Sequence, residues 1–245
     1  MGAEQAWLLA AVPAAVFLVL ALFGRALPRG GDYLGVAAIG TSFVLFFIVL
    51  ADFFDTPGKV GPVVKDIEWS SIGDFDLRMG IFIDPIAIVM FGVVTSVALM
   101  VNIFSIGYMK GEPRYYWFFA LLQLFVAAML LLVMADNLLL VYIAWELVGV
   151  CSFLLIGFYW EKRSATEAAK KAFITTRIGD VGLLIGIILF WRETGTFNIQ
   201  EIIHIVEEGE IGQTYLFIAI SFIFLGCMGK SAQVPFHVWL PDAME

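Results

Sequence analysis

Glu146 stands in the run Tyr142-Ile143-Ala144-Trp145-Glu146-Leu147-Val148-Gly149, in which no other residue carries a charge. A charge at the centre of a bilayer costs about 2.5–3.5 kcal/mol on insertion scales, so such a carboxylate needs a partner, a proton or a water-filled cavity. Arg177 and Asp180 are a second case, in Thr176-Arg177-Ile178-Gly179-Asp180-Val181-Gly182, where their spacing puts them on one helical face. Lys230 is the third, lying in Gly226-Cys227-Met228-Gly229-Lys230-Ser231 ahead of Pro235. Desolvation disfavours the charged forms of a carboxylate and an ammonium alike, and two such groups brought together can trade a proton. Each has a plainer reading. Glu146 could be a neutral acid bonded to a neighbouring helix, Arg177 and Asp180 could neutralise each other within their own helix, and Lys230, roughly 6–8 Å from a helix end, could snorkel to the surface.

These residues need elements that hold them in a membrane. The chain of 245 residues is 61% hydrophobic and only 15% charged, against roughly 45–50% apolar and about 25% charged in soluble domains. Apolar runs near the ~20 residues needed to cross a bilayer recur along its length. They predict spans at 6–23, 33–51, 84–108, 115–135, 137–160, 168–191 and 215–234. Glu146 then lies ~13 Å into the fifth span and Asp180 ~18 Å into the sixth, at 1.5 Å per residue. Gly179 and Gly182 would let another helix approach Asp180 closely. Pro235 frees the carbonyl of Ser231 and favours a break at the end of the seventh span, beside Lys230. The expected fold is an all-α polytopic membrane protein of about seven transmembrane helices, with a small outer β-hairpin and a broken seventh helix.

The hairpin is read from residues 60–83. Alternation in Val63-Val64-Lys65-Asp66-Ile67-Glu68-Trp69 and in Phe75-Asp76-Leu77-Arg78-Met79 flanks Ser71-Ile72-Gly73-Asp74, and contact with a neighbouring subunit is its expected role. Ile199, Ile202, Ile203 and Val206 recur at helical spacing among acidic residues, predicting a short amphipathic helix over 198–208 that includes an unremarkable His204. The segments after spans one, three and five contain Arg25, Arg29, Lys110, Arg114, Lys162, Arg163, Lys170 and Lys171, against Lys59, Lys65, Arg78 and Arg192 on the opposite side. Eight basic residues against four place the N-terminus outside and the region of His237 in the cytoplasm. The first span has its arginines after it rather than before it, the reverse of a signal peptide, and is read as retained.

The net charge of −8 and the scattered basic residues speak against nucleic-acid binding. Cys151 and Cys227 lie in separate apolar runs without metal-ligand or cluster spacing, and no dinucleotide or flavin motif is present. Neither a cofactor nor a metal is expected on this chain.

At the same residues the sequence resembles the antiporter-like subunit L, or subunit 5, of respiratory complex I, the NADH:quinone oxidoreductase. The resemblance is carried by Tyr108-Met109-Lys110-Gly111-Glu112, Ala135-Asp136-Asn137-Leu138-Leu139-Leu140 and Trp145-Glu146-Leu147-Val148-Gly149-Val150-Cys151-Ser152. It continues in Thr176-Arg177-Ile178-Gly179-Asp180-Val181-Gly182 and in Gly229-Lys230-Ser231-Ala232-Gln233-Val234-Pro235 through Leu240-Pro241-Asp242-Ala243-Met244. It implies that Glu146 and Lys230 are the paired proton-transfer groups of a channel's entry half. Arg177 and Asp180 would tune that pair or meet the adjacent antiporter-like subunit, and His237 is a candidate for proton entry. Residues 1–110 would hold helices 1–3 and the hairpin, and 111–245 the start of the antiporter-like domain. Members of the family run well past this length, so the exit half of the path would lie beyond residue 245. The resemblance further implies a bacterial inner membrane or an equivalent energy-transducing membrane, with other membrane-arm subunits as partners. Those partners, or subunits bound to them, would carry FMN and iron–sulfur clusters and use NADH and quinone. Two alternatives stay open: the large subunit of a multisubunit Na+/H+ antiporter, with an inorganic-carbon uptake subunit as a more distant relative, and a structural membrane subunit whose charges serve packing alone.

The charge asymmetry makes a direct prediction. A cysteine at Ser164 should react with an impermeant thiol reagent only from the cytoplasmic side, and one at Ser70 only from outside; the reverse labelling would invert the topology.

Overall fold

A computed structural model of the chain describes residues 5–54, 63–72 and 75–244. Its elements in chain order are α1 (Leu8–Phe23), α2 (Asp32–Phe54), β1 (Val63–Ile72), β2 (Phe75–Ile83), α3 (Pro85–Tyr108), α4 (Tyr115–Met134), α5 (Leu138–Ile156), α6 (Arg163–Thr194), α7 (Ile199–Glu207) and α8 (Gln213–Lys230). Short 3-10 turns occur at Pro28–Gly31, Phe236–Trp239 and Pro241–Met244. Among the described residues six helices are long and apolar enough to cross a membrane, and α1 is a shorter apolar helix of 16 residues. The protein is an integral, multi-pass, all-α membrane protein with one two-stranded antiparallel hairpin.

Local chemistry sets the helix starts. Asp84 precedes Pro85 and accepts the Ala87 N–H at 2.7 Å, Asn137 accepts that of Leu140 at 2.7 Å, and Asn198 accepts those of Gln200 and Glu201. Each cap satisfies a backbone donor that the first helical turn leaves open. The strands pair from Val63 opposite Ile83 to Ile72 opposite Phe75, with an irregularity between Glu68 and Ser70. Gly73 and Asp74, read as part of the turn, lie outside the described residues. The short amphipathic helix expected over 198–208 is α7.

By packing, the chain divides into two compact units, Met1–Ala135 and Asp136–Glu245. The first unit includes α4, which packs with α1: Phe119 and Ala120 share a buried cluster with Leu20. In the first unit Leu9, Ile39, Phe91 and Leu130 form the centre of a second core, which Ile81 and Ile83 of β2 extend. The Ser42 hydroxyl, fully buried in α2, donates to the Leu9 carbonyl at 2.9 Å.

In the second unit the closest helix pair is α6 with α8, and glycines make the approach. A Cβ on Gly179 would lie 3.1 Å from the Gly229 Cα, and one on Gly226 would lie 2.7 Å from the Leu183 Cβ. Small residues are what allow backbones to come this close in a membrane. Phe190 of α6, Ile202 of α7 and Ala219 of α8 form a further cluster. The Leu138 N–H donates to the Phe197 carbonyl and the Ile199 N–H to the Asp136 carbonyl, joining the starts of α5 and α7.

The break in the last span comes earlier than its apolar run suggests. Helix α8 stops at Lys230, not at residue 234, and Ala232 takes a left-handed φ of 51°. The residue before a proline is steered away from helical geometry, which pulls the stop upstream of Pro235. Two side chains tie the following 3-10 turns to the helices: the Trp239 indole donates to the Gly229 carbonyl at 3.0 Å, and Lys171 pairs with Asp242 at 2.6 Å.

Candidate functional site: a four-charge cluster between apolar helices

Glu146 sits mid-way along α5, Arg177 and Asp180 in α6, and Lys230 at the last position of α8. The fold gathers all four, but it pairs them across helices. Arg177 Nη1 forms an ion pair with Glu146 Oε2, and Lys230 Nζ stands 3.6 Å from Asp180 Oδ2. The arrangement differs from the one expected within α6, where Arg177 and Asp180 would neutralise each other. It also differs from a direct Glu146–Lys230 pair, since each acid faces the other base. The physical reason is that residues three apart on a helix share a face without touching if each finds a better-placed partner opposite. Lys230 does not snorkel. Its side chain is 16% exposed and turns toward Asp180, itself 1% exposed.

Aromatic and small residues complete the cluster. The Trp145 indole N–H donates to Asp180 Oδ1 at 2.6 Å, so one oxygen of that carboxylate is held by the residue next to Glu146. The same ring lies 5.9 Å from Lys230 Nζ, and the Arg177 guanidinium sits 4.5 Å over Phe173, distances at which a ring quadrupole attracts a cation. Gly149, one turn along α5 from Glu146, is where the two cations meet. A methyl group there would overlap Lys230 Nζ and would lie 3.8 Å from Arg177 Nη2.

The cluster is neutral as a whole when ionised. Asp180 Oδ2 and Lys230 Nζ meet as an ion pair beyond hydrogen-bond distance, and Glu146 Oε1 and Arg177 Nε are buried with no hydrogen bond to the described residues. His237 is exposed in the first 3-10 turn beyond α8, with no side-chain hydrogen bond or ion pair to the described residues. The cluster and His237 are therefore not in direct contact. Sequence reasoning passed over Trp145, Phe173 and Gly149 as contributors. An indole donor adjacent to a mid-span acid, and a glycine one turn beyond it, were the signals available.

The segment that builds the cluster lies within one that matches a known family. Residues 135–245 match the family described as "NADH:quinone oxidoreductase/Mrp antiporter, TM", and residues 69–119 match "NADH-Ubiquinone oxidoreductase (complex I), chain 5 N-terminus". The chain belongs to this antiporter-like subunit family. It is 39% identical to the NAD(P)H-quinone oxidoreductase chain 5 of Picosynechococcus sp., over 99% of this chain and 38% of that one. Subunit L of the NADH-quinone oxidoreductase of Pseudomonas aeruginosa is 39% identical, over 95% of this chain and 38% of its own. The F(420)H(2) dehydrogenase subunit L of Methanosarcina mazei is 41% identical, over 99% and 38%. Among solved structures, a chain of the Mrp complex from Dietzia sp. DQ12-45-1b superposes with a TM-score of 0.81 at 28% identity, covering 98% of this chain and 25% of that one. The chain spans 38% of the length of each of these three curated relatives.

The crossed pairing can be measured in denaturation experiments on the detergent-solubilised protein. Double-mutant cycles should give coupling of roughly 1–3 kcal/mol for Glu146→Gln with Arg177→Met and for Asp180→Asn with Lys230→Met, and a smaller value for Glu146→Gln with Lys230→Met. The opposite ranking would contradict the arrangement.

Proposed function

We propose that this chain contributes the proton-loading part of an antiporter-like membrane subunit, which couples electron transfer by other subunits to proton movement. The observation that carries the reading is the cluster of four charged side chains, Asp180 buried and the other three half-buried, gathered between apolar helices. Intramembrane ionisable groups of this kind mark ion pathways and proton relays. On this reading, NADH or a related reduced carrier delivers electrons to quinone through FMN and iron–sulfur clusters on partner subunits. The names of the relatives support an oxidoreductase complex, while their donors differ: NAD(P)H, NADH and F(420)H(2). The likeness to a chain of the Mrp complex supports a second reading as the large subunit of a Na+/H+ antiporter. The N-terminus is assigned to the outside by the basic-residue asymmetry, and the adjacent antiporter-like subunit is the expected neighbour.

In the mechanism, the observed arrangement is the separated state of the Glu146–Lys230 pair. Arg177 holds Glu146, while Asp180, oriented by Trp145, faces Lys230. Release of Glu146 from Arg177 frees a carboxylate to take up a proton or to meet Lys230 beside Gly149. At about 4–8 Å and an effective dielectric near 20, the attraction between the two is roughly 2–4 kcal/mol. Forming the pair holds a proton on Lys230, and exchanging partners lets it pass onward. Asp180 modulates this step as the counter-ion of Lys230.

Glu146→Gln and Lys230→Ala, introduced into the assembled complex, should each cut proton uptake into sealed vesicles severely during NADH oxidation, with the double variant little worse than either. Glu146→Asp should be milder, and Asp180→Asn should lose pumping only in part while electron transfer continues. Native gels check assembly. Normal pumping by both single variants in assembled complexes would make the cluster structural.

A further inference from the structure

A cavity of about 670 Å³ opens in the first unit, where the C-terminal ends of α1 and α3 meet the N-terminal ends of α2 and α4. Its charged lining is Arg25, Arg29, Lys110 and Asp32. Asp32 is already spent: its side chain is 2% exposed, bonded to Arg29 at 2.8 Å, to the Tyr115 hydroxyl at 2.8 Å and to the Tyr33 N–H at 2.6 Å. Arg29, although paired, keeps 65% of its side chain exposed. Arg25 lies 5.7 Å from the centroid of the Tyr116 ring, and neither it nor Lys110 has an ion pair with the described residues. Three cations thus face one neutralised acid, leaving a net charge of +2 around the cavity. Its walls are thin as well, since Gly24, Gly30, Gly107 and Gly111 line it. At Gly111, with a φ of 96°, a Cβ would meet nothing within 4 Å, so the backbone itself is open to a ligand.

The helix turns leading into the cavity expose apolar side chains rather than polar ones. Leu22 and Phe23 at the end of α1 are 74% and 60% exposed, and Phe104 and Tyr108 at the end of α3 are 68% and 69% exposed. A cationic recess at the ends of membrane helices, continued by apolar helix faces, has the chemistry of an anionic amphiphile: phosphate in the recess, hydrocarbon along the helices. We propose that this cavity binds the phosphate headgroup of an anionic membrane phospholipid, with Arg25 and Lys110 as its free charge partners and Arg29 as a third. Cationic recesses between membrane helices recognise such headgroups through the same charge attraction. The shared ligand chemistry is a phosphate anion, and the lipid source is the one the apolar turns favour over a soluble phosphate.

The test uses native membrane vesicles containing the assembled complex and a photoactivatable phosphatidylglycerol, with crosslinked peptides mapped by mass spectrometry. The probe should label the ends of α1 and α3, phosphatidylglycerol should compete, and both a phosphatidylcholine probe and excess inorganic phosphate should have little effect. Arg25→Gln with Lys110→Gln should lower labelling on the order of tenfold, while Arg25→Lys with Lys110→Arg should preserve it. Labelling unchanged by the neutral double variant, equal labelling by the phosphatidylcholine probe, or loss in the charge-preserving variant would overturn the proposal. Displacement by inorganic phosphate as effective as that by phosphatidylglycerol would assign the cavity to a soluble anion and overturn it equally.

Discussion

Charge buried in hydrocarbon must find opposite charge, and in the second unit that requirement is met between helices rather than along them. Arg177 and Asp180 project from one helix, yet their partners come from α5 and α8. Removing one member of a pair leaves its partner's charge uncompensated among apolar helices, so the four side chains cross-link three helices. On the proposed function the same requirement makes the site usable: a cluster of two acids and two bases can exchange partners without changing its total charge, and only a proton gained or lost disturbs the balance.

The glycines are the steric condition for this chemistry. Gly179, Gly182 and Gly186 on α6 face Leu225, Ile223 and Gly229 on α8 at distances that leave no room for a side chain. That contact brings the end of α8 against the face of α6 that carries Asp180. Gly149 then provides the space beside α5 in which the Lys230 ammonium lies. The helix ends at Lys230, and the Trp239 indole donates to the Gly229 carbonyl, so Lys230 stands at a helix terminus beside a secured backbone. On the proposed function that position suits a group that trades partners, because a terminus shifts with less disruption than a mid-helix position.

Much of the architecture is legible in the amino-acid sequence. Hydropathy is a one-dimensional property, and it places α1 through α6 within about five residues of their bounds; the alternation of Val63–Trp69 is equally local. Glu146, Arg177, Asp180 and Lys230 stood out because charge is rare in such runs. Their pairing was not legible, because a spacing of three residues specifies a shared helix face and says nothing of which neighbour lies opposite it. Trp145 was hidden for a related reason: an indole in an apolar span reads as packing until its N–H is seen to end on a carboxylate. The grouping of α4 with α1 likewise depends on contacts such as Phe119 with Leu20, far apart in sequence.

The central claim is that Glu146 changes its protonation or its partner during turnover rather than staying locked to Arg177. Redox-triggered infrared difference spectroscopy of the assembled complex reads this directly, because carboxyl and carboxylate bands report protonation and bonding. The account predicts a carboxyl-region difference signal on reduction that disappears in Glu146→Gln and changes shape in Lys230→Ala. An identical difference spectrum in the unsubstituted complex and in Glu146→Gln would contradict it.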